Sequence, residues 1–302
     1  MFKKTAGWLL LSVLILSACS NQSTAGNSGA NQTPATPAAS EQNAGTTTTP
    51  STGKDADATA SAGTTAGSTD AKSEESSSTT AEDSKAEAPA SYTYHMNENY
   101  DIVPNKESDK TPKKVVLLTF DDGPKEAKMI NSMIDTLDKH NARAIFFVNG
   151  SRVKRHPELL KLIHDRGGVI GNHTYDHIVL KNESPAKVKQ QIEDTQKIIK
   201  ETINVTPRFL RPPNGAGNDA VHEVAAKNNL MYMNWSVGSL DWVNQNDPQA
   251  VITNVMDQLH SGSTILMHEL PWTVEALDQL LTKLEAKGYT FVDPDTIEPE
   301  MR

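Results

Sequence analysis

The chain has 302 residues, a formal net charge of −9 and a single cysteine. The negative charge argues against a nucleic-acid partner, which would require a basic surface. One cysteine excludes an intramolecular disulfide.

The N-terminus is typical of an export signal. Lys3 and Lys4 precede an apolar run from Trp8 to Ala18, which is too short to span a bilayer, since spanning takes roughly 20 residues. The run ends in a Leu-Ser-Ala-Cys segment that resembles a bacterial lipobox, with cleavage before Cys19 and lipid on its sulfur. An ordinary export signal with an incidental Cys19 is the alternative. We therefore predict a lipoprotein signal peptide at 1–18 and a protein anchored to the outer face of the membrane, facing the cell wall.

A tether is predicted to follow. Residues 19–91 are mainly Ser, Thr, Ala, Gly, Asn and Pro, and they have too few large apolar residues to offset the entropy of ordering, so the segment should be disordered. As a flexible coil it would have an end-to-end distance of about 45 Å. A short lead-in at 92–112 has no clear assignment, because its tyrosines could pack on a domain or end the tether.

Residues 113–302 have the composition of one globular domain in which apolar runs alternate with helical patterns. Ser184 and Pro185 mark one helix start as an N-cap and a first-turn proline. Seven strands separated by six helical stretches indicate βαβ units and a parallel α/β sheet, whether closed or open. The predicted strands are Val115 to Phe120, Ala144 to Val148, Val169 to Asn172, Arg208 to Leu210, Leu230 to Asn234, Thr264 to Met267 and Tyr289 to Val292.

Two adjacent carboxylates, Asp121 and Asp122, follow the first strand and precede Gly123-Pro124. Successive residues leaving a strand point in opposite directions, so one carboxylate can bind a metal ion while its neighbour acts as a base. An Asp before Gly-Pro also suits a helix N-cap, here for a helix from Lys125 to His140. The pair alone does not decide between these interpretations.

Further polar residues fall at the same ends of the predicted strands. His173 ends the third strand, Arg211 the fourth and His268 the sixth, and Asp241 lies shortly beyond the fifth. The C-terminal ends of parallel strands carry the active site in α/β folds. These independent placements therefore predict one site at that edge of the sheet.

A metal site is predicted from the pair His173 and His177, whose spacing of four would bring both imidazoles to one side of a helical turn. With a carboxylate from the same edge, they form a set of two His and one acid that leaves coordination positions open. The same set would suit a non-haem iron oxygenase, although the alternation of strand and helix argues against that class.

Two further pairs have a chemical rationale. Arg211 precedes Pro212-Pro213, a rigid turn that fixes the direction of its guanidinium. Beside Asp121, the guanidinium would keep that carboxylate ionised and oriented. A buried Asp241 against the His268 imidazole would raise the His pKa and fix its orientation, which suits a general acid.

Five segments in chain order resemble the motifs of the NodB-homology polysaccharide deacetylases, carbohydrate esterase family 4, and the resemblance covers about residues 113–292. It implies a distorted, incomplete (β/α)7 barrel that removes N-acetyl groups from polymeric sugars. It also implies a divalent metal, usually Zn²⁺, with Co²⁺, Mn²⁺ or Ni²⁺ as alternatives. The segments are Thr119 to Pro124, His173 to His177, Arg211 to Gly215, Ser239 to Trp242 and Leu266 to His268.

By this resemblance, Asp122, His173 and His177 would hold the metal. Asp121 would be the base that deprotonates the attacking water, and His268 would be the acid that protonates the leaving amine.

The remaining residues of the motifs would support these groups or contact the substrate. Arg211 would orient Asp121, and Asp241 would tune His268. The backbone N–H after Pro213 would stabilise the oxyanion together with the metal. The substrate contacts would be Pro213, Asn214, Trp242 and Leu266.

Two positions depart from the family pattern. Many members carry Tyr where this chain has Asn214 and an acid where it has Gly238, so the fourth motif keeps only its second Asp. The first change bears on substrate contacts. The second removes a charge near Arg211 and His268, which bears on catalytic efficiency more than on metal binding.

The sequence therefore predicts a monomeric, metal-dependent hydrolase of a cell-envelope polysaccharide. The expected substrate is N-acetylglucosamine or N-acetylmuramic acid of peptidoglycan. Chitin, chitooligosaccharide and acetyl-xylan remain open as substrates. A non-enzyme, a glycan-binding lipoprotein whose site has decayed at Gly238, is the further alternative.

Overall fold

The computed structural model describes residues 92–106 and 110–302. The predicted signal peptide at 1–18, the lipidation site Cys19 and the tether at 19–91 lie outside the described residues.

The described part begins with an antiparallel hairpin of β1 (Tyr94–Met96) and β2 (Ile102–Pro104). Tyr94, Met96 and Ile102 are buried in one apolar cluster with Val292 and Ile297 from the end of the chain. The lead-in that the sequence left unassigned therefore contributes to the core of the domain.

The main sheet consists of eight parallel strands. Its strands are β3 (Val115–Gly123), β4 (Ala144–Val148), β5 (Val169–Asn172), β6 (Phe209–Leu210), β7 (Met231–Tyr232), β8 (Val237–Gly238), β9 (Ser263–His268) and β10 (Thr290–Phe291). Seven of them lie side by side in the order β7, β6, β5, β4, β3, β9, β8, and β10 pairs with the start of β3. Within the described residues, no pairing joins β7 to β8, so the barrel stays open there. The predicted incomplete (β/α)7 barrel is confirmed.

Seven α-helices occur in the described residues. They are α1 (Ala127–Lys139), α2 (Gly150–Arg155), α3 (Pro157–Asp165), α4 (Pro185–Ile203), α5 (Asp219–Lys227), α6 (Pro248–Gln258) and α7 (Pro271–Ala286). The predicted cap is confirmed, since Ser184 accepts a hydrogen bond from the Lys187 N–H. None of these helices is long and apolar enough to cross a membrane, as far as the described residues extend.

Helix α1 begins after Glu126, whose side chain makes no capping hydrogen bond. Asp121 and Asp122 lie within β3, several residues earlier. The N-cap interpretation of the two acids is therefore wrong, and both carboxylates are available for other contacts.

Side chains along β3 point alternately to the two faces of the sheet, and this alternation determines on which face Asp121 lies. Val116 and Leu118 belong to the cluster shared with the outer helices, whereas Val115 and Leu117 belong to the inner cluster that includes the hairpin. Asp121 has the parity of the inner residues. A register slip of one residue would exchange the two faces, and burying each such side chain stabilises the fold by roughly 1.5–3 kcal/mol. The apolar pattern therefore fixes which carboxylate lies over the inner cluster.

Two sequence-based assignments need correction near the site. The strand predicted from Leu230 to Asn234 is only Met231–Tyr232, and the two-residue strand β8 was missed. Asp241 therefore follows β8. Gly238, which lies outside the predicted strands, is buried in β8. A two-residue strand that contains Gly is too short to leave a periodic pattern.

Candidate metal and catalytic site

The side chains of Asp122, His173 and His177 converge where β3 and β5 end. One ligand-type atom from each lies within 4.8 Å of the others. The Nε2 atoms of His173 and His177 lie 3.5 and 3.0 Å from Asp122 Oδ1. Neither contact is aligned as a hydrogen bond, and this oxygen is buried without a hydrogen-bond partner among the described residues. A buried carboxylate oxygen that faces two imidazole nitrogens fits a bound cation.

The hydrogen bonding of His173 would suit a metal ligand. Its Nδ1 lies 2.7 Å from the backbone oxygen of Arg211. A carbonyl only accepts, so Nδ1 carries the proton and Nε2 keeps its lone pair for a metal. Burial lowers the pKa of His173, which favours the neutral form that metals bind.

Charges around Asp122 reinforce this arrangement. Burial alone would raise the pKa of the Asp122 carboxyl, but the contact with His177 and the nearby His173 and His268 hold it well below its usual value. The same contact with Asp122 raises the pKa of His177. The cluster therefore contains an ionised carboxylate.

The candidate ligands lie on an irregular backbone. Asp122, Thr174 and His177 adopt left-handed conformations with φ of 67°, 65° and 57°. The expected helical turn between His173 and His177 is therefore wrong. Such conformations are costly and persist where surrounding contacts impose them. Here Asn172 Oδ1 accepts the Thr174 N–H at 2.9 Å, and Asn149 donates to the His173 carbonyl at 2.9 Å.

Asp121 pairs with a fully buried arginine. Arg211 donates from Nη1 to Asp121 Oδ1 at 2.8 Å and to Thr119 Oγ1 at 2.8 Å. Its Nη2 donates to the Asn234 carbonyl, also at 2.8 Å. The guanidinium carbon lies 4.4 Å from the centre of the Phe147 ring. These contacts fix the guanidinium, and the guanidinium fixes the Asp121 carboxylate.

His268 is oriented by Asp241, which is fully buried. Asp241 Oδ1 accepts from His268 Nδ1 at 2.7 Å, and Oδ2 accepts from the His268 N–H and from Thr273 Oγ1, both at 2.7 Å. Burial alone would lower the pKa of His268, but the hydrogen bond and charge of Asp241 raise it above its usual value. The other ring nitrogen, Nε2, therefore carries a proton more readily than in an ordinary imidazole.

These groups surround a cavity of about 370 Å³. Trp242 stands edge-on to the His268 ring, with ring centres 5.3 Å apart. Pro213 is buried and is not among the lining residues, in contrast to the predicted substrate contact. Arg211 and Asp241 do not line the cavity either, and they contact it only through the residues that they hold. The lining residues are Asp121, Asp122, His173, His177, Asn214, Trp235, Trp242, Leu266 and His268.

Sequence reasoning missed Trp235, which lines the cavity, and the buried Glu269, which follows His268. Trp235 lines the cavity, and its ring centre lies 5.8 Å from the Arg211 guanidinium carbon. Glu269 follows His268 and is 1% exposed. Burial raises the pKa of its carboxyl to about 7, although the Lys125 N–H, the charge of Lys125 and the charge of Arg152 act in the opposite direction. The only available signal for Glu269 was an acid directly after a predicted catalytic residue.

Gly238 offers a test of the missing acid in the fourth motif. It does not have a positive φ, and a side-chain carbon there would lie 3.5 Å from Trp242 and 3.8 Å from Trp235, which are ordinary contacts. Gly238→Ala should therefore melt close to wild type and keep its activity. Gly238→Asp should change the rate of acetate release, because it places a charge beside two residues of the cavity wall. Both variants should be compared by thermal melting and acetate assay. If both melt several degrees lower, Gly238 is a packing requirement and the absent charge has no catalytic meaning.

A parallel half-barrel with a possible metal-binding triad at its strand ends fits the architecture expected from the resemblance to NodB-homology deacetylases. Comparison with known proteins agrees. The family model for polysaccharide deacetylase matches residues 108–233. The chain is 34% identical to a peptidoglycan-N-acetylglucosamine deacetylase of Bacillus cereus over 63% of this chain and 88% of that protein. The chain belongs to the polysaccharide deacetylase family.

Two other similar proteins qualify the assignment. The chain is 36% identical to the peptidoglycan-N-acetylmuramic acid deacetylase PdaC of Bacillus subtilis over 65% of this chain, but it spans only 41% of that protein. A solved structure of a carbohydrate esterase family 4 pseudoenzyme from Bacillus anthracis is 32% identical, with a TM-score of 0.57, over 59% of this chain and 63% of that one. The fold therefore occurs both in proteins named as deacetylases and in one named as a pseudoenzyme.

Proposed function

We propose that the protein is a metal-dependent hydrolase that removes N-acetyl groups from peptidoglycan. The observation that carries the proposal is one cavity that contains a metal-ligand triad and two acid–base candidates, each held by its own buried partner. Asp121 is held by Arg211, and His268 is held by Asp241.

The reaction follows from the positions of these groups. Asp121 takes a proton from the attacking water molecule while the oxygen of that water forms a bond to the acetyl carbon. The proton that His268 holds at Nε2 passes to the amide nitrogen, and the carbon–nitrogen bond breaks to release acetate and a free amine. A backbone N–H after Pro213 stabilises the charge that develops on the acetyl oxygen.

Asp122, His173 and His177 would hold the metal ion, for which we propose Zn²⁺. Two imidazoles and a carboxylate are common Zn²⁺ ligands, and three protein ligands leave a position open. When bound, the ion would polarise the acetyl carbonyl and lower the pKa of a water molecule. A hydrolytic role fits the parallel β/α fold and the family, which disfavours the iron-oxygenase alternative.

Two of the relatives support peptidoglycan as the substrate, since they are named for deacetylation of its two sugars. We propose that one chain suffices, because a single chain supplies the candidate metal ligands, the candidate base and the candidate acid to one cavity. Acetate release should be measured with peptidoglycan, chitooligosaccharide and acetyl-xylan, using the metal-loaded full chain. A faster rate on either of the last two than on peptidoglycan would contradict the substrate assignment.

A catalytically weak glycan-binding protein is the second candidate. Gly238 in place of an acid and the similarity to a pseudoenzyme favour it. Retention of Asp121 and His268 with their buried partners favours catalysis. Binding of peptidoglycan without acetate release from any of the three polymers would establish this second candidate.

We also propose that Cys19 anchors the protein to the outer face of the cell membrane. The tether would then allow the domain to reach the nearby cell wall. Cys19→Ser should move the protein out of the membrane fraction, because the lipid is attached to that sulfur. The purified variant should still deacetylate soluble oligosaccharides at the wild-type rate, since the cavity lies in the domain. A variant that stays membrane-bound after a high-salt wash would contradict the lipid anchor.

A further inference from the structure

Glu269 is a buried carboxyl that the proposed reaction does not use. It follows His268 at the end of β9, yet its contacts are with the turn after Asp122. Its Oε2 accepts a hydrogen bond from the Lys125 N–H, and a side-chain carbon at Gly123 would lie 3.5 Å from Oε1. Oε1 itself is buried and has no hydrogen-bond partner within residues 92–106 and 110–302. The carboxyl therefore connects the strand that carries the general acid to the turn that carries a metal ligand.

The turn from Asp122 to Lys125 depends on such contacts. Asp122 has a φ of 67°, which a residue other than glycine adopts only at a cost. Pro124 has no N–H, so the Lys125 N–H is the first backbone donor after Gly123. On the other side, the Gly123 carbonyl accepts the Asn149 N–H at 2.9 Å. Two contacts, one on each side of the proline, hold the turn.

We infer that Glu269 is a positioning residue for the metal ligand Asp122. Its carboxyl oxygen fixes the Lys125 N–H, and the fixed turn keeps Asp122 Oδ1 between His173 and His177. The inference rests on the proposed metal-dependent function. It requires a hydrogen-bond acceptor at this position, and an amide oxygen accepts the same bond as a carboxylate.

Three variants separate this role from simple packing. Glu269→Met fills a similar volume without accepting the hydrogen bond, Glu269→Asp withdraws the carboxyl by one methylene, and Glu269→Gln keeps an acceptor at full length. Glu275→Met on α7 is the control, because Glu275 is exposed. The full-length chains should be stripped of metal and titrated with Zn²⁺ in competition with a chromophoric chelator.

We expect Glu269→Met and Glu269→Asp to raise the Zn²⁺ Kd by about 10- to 100-fold, the effect of losing an outer partner of a metal site. Glu269→Gln and the control should bind like wild type. Should the Met variant not fold, the Asp variant decides. Wild-type affinity in the Asp and Met variants, or an equal loss in the Gln variant, would overturn the inference alone. A wild-type chain that binds no Zn²⁺ would overturn the proposed metal function as well.

Discussion

The Asp121→Asn variant should keep its bound metal and lose about 10²- to 10⁴-fold in the rate of acetate release, the usual contribution of a general base. The amide has nearly the shape of the carboxylate, and its oxygen can still accept the hydrogen bond from Arg211 Nη1, which is 2.8 Å long in the native chain. It cannot take up the proton of the attacking water. Asp122 and the two imidazoles are unchanged, so the metal site should remain intact.

The same substitution leaves the fully buried Arg211 without its ionic partner. Breaking a buried pair from one side typically destabilises a protein by about 3–5 kcal/mol. The relevant quantity is therefore the rate per folded, metal-loaded molecule, with thermal melting and metal content measured on the same sample. Asp194→Asn, at an exposed acid on α4, is a matched control that should keep the wild-type rate. If Asp121→Asn retains that rate, another group activates the water and the assigned role is wrong.

The apolar pattern of the sequence was sufficient to predict the fold class. Runs such as Ala144–Val148 and Val169–Asn172 are strands with the predicted bounds, and every residue of the first run is buried. Since parallel strands end at one edge, the order of strands alone indicated that the acids at the end of β3 and the histidine after β5 would lie close together. That step needed no knowledge of individual contacts.

What the sequence could not supply depends on contacts between distant segments. The hairpin around Tyr94 and Ile102 is stable only because it packs on the apolar side chains of the inner cluster. The path from His173 to His177 is set by left-handed residues and by the side chain of Asn172, neither of which follows from residue spacing. Glu269 accepts a hydrogen bond from the Lys125 N–H, which lies 144 residues earlier in the sequence. Local periodicity contains no information about such contacts.

His173→Ala and His177→Ala should each abolish stoichiometric metal binding and, with it, acetate release. Removing an outer partner of a metal ligand already costs about 10- to 100-fold in affinity, so losing a ligand itself should cost more. His173 should be the more damaging site. It is 2% exposed and held by the Arg211 carbonyl, whereas the His177 side chain is 39% exposed and no backbone carbonyl among the described residues orients its ring.

Metal content by elemental analysis and melting with and without Zn²⁺ would test both variants. A ligand that binds only the folded chain stabilises it by about 2.7 kcal/mol at 100 times its Kd, so the wild type should melt higher with Zn²⁺ and both variants should not. His164→Ala, on α3 and outside the cavity, should behave like wild type. Stoichiometric metal in both ligand variants would mean that the ion is held elsewhere. The assignment of Asp121 as the base would then fail as well, because it depends on a water molecule that a metal ion at the triad would hold.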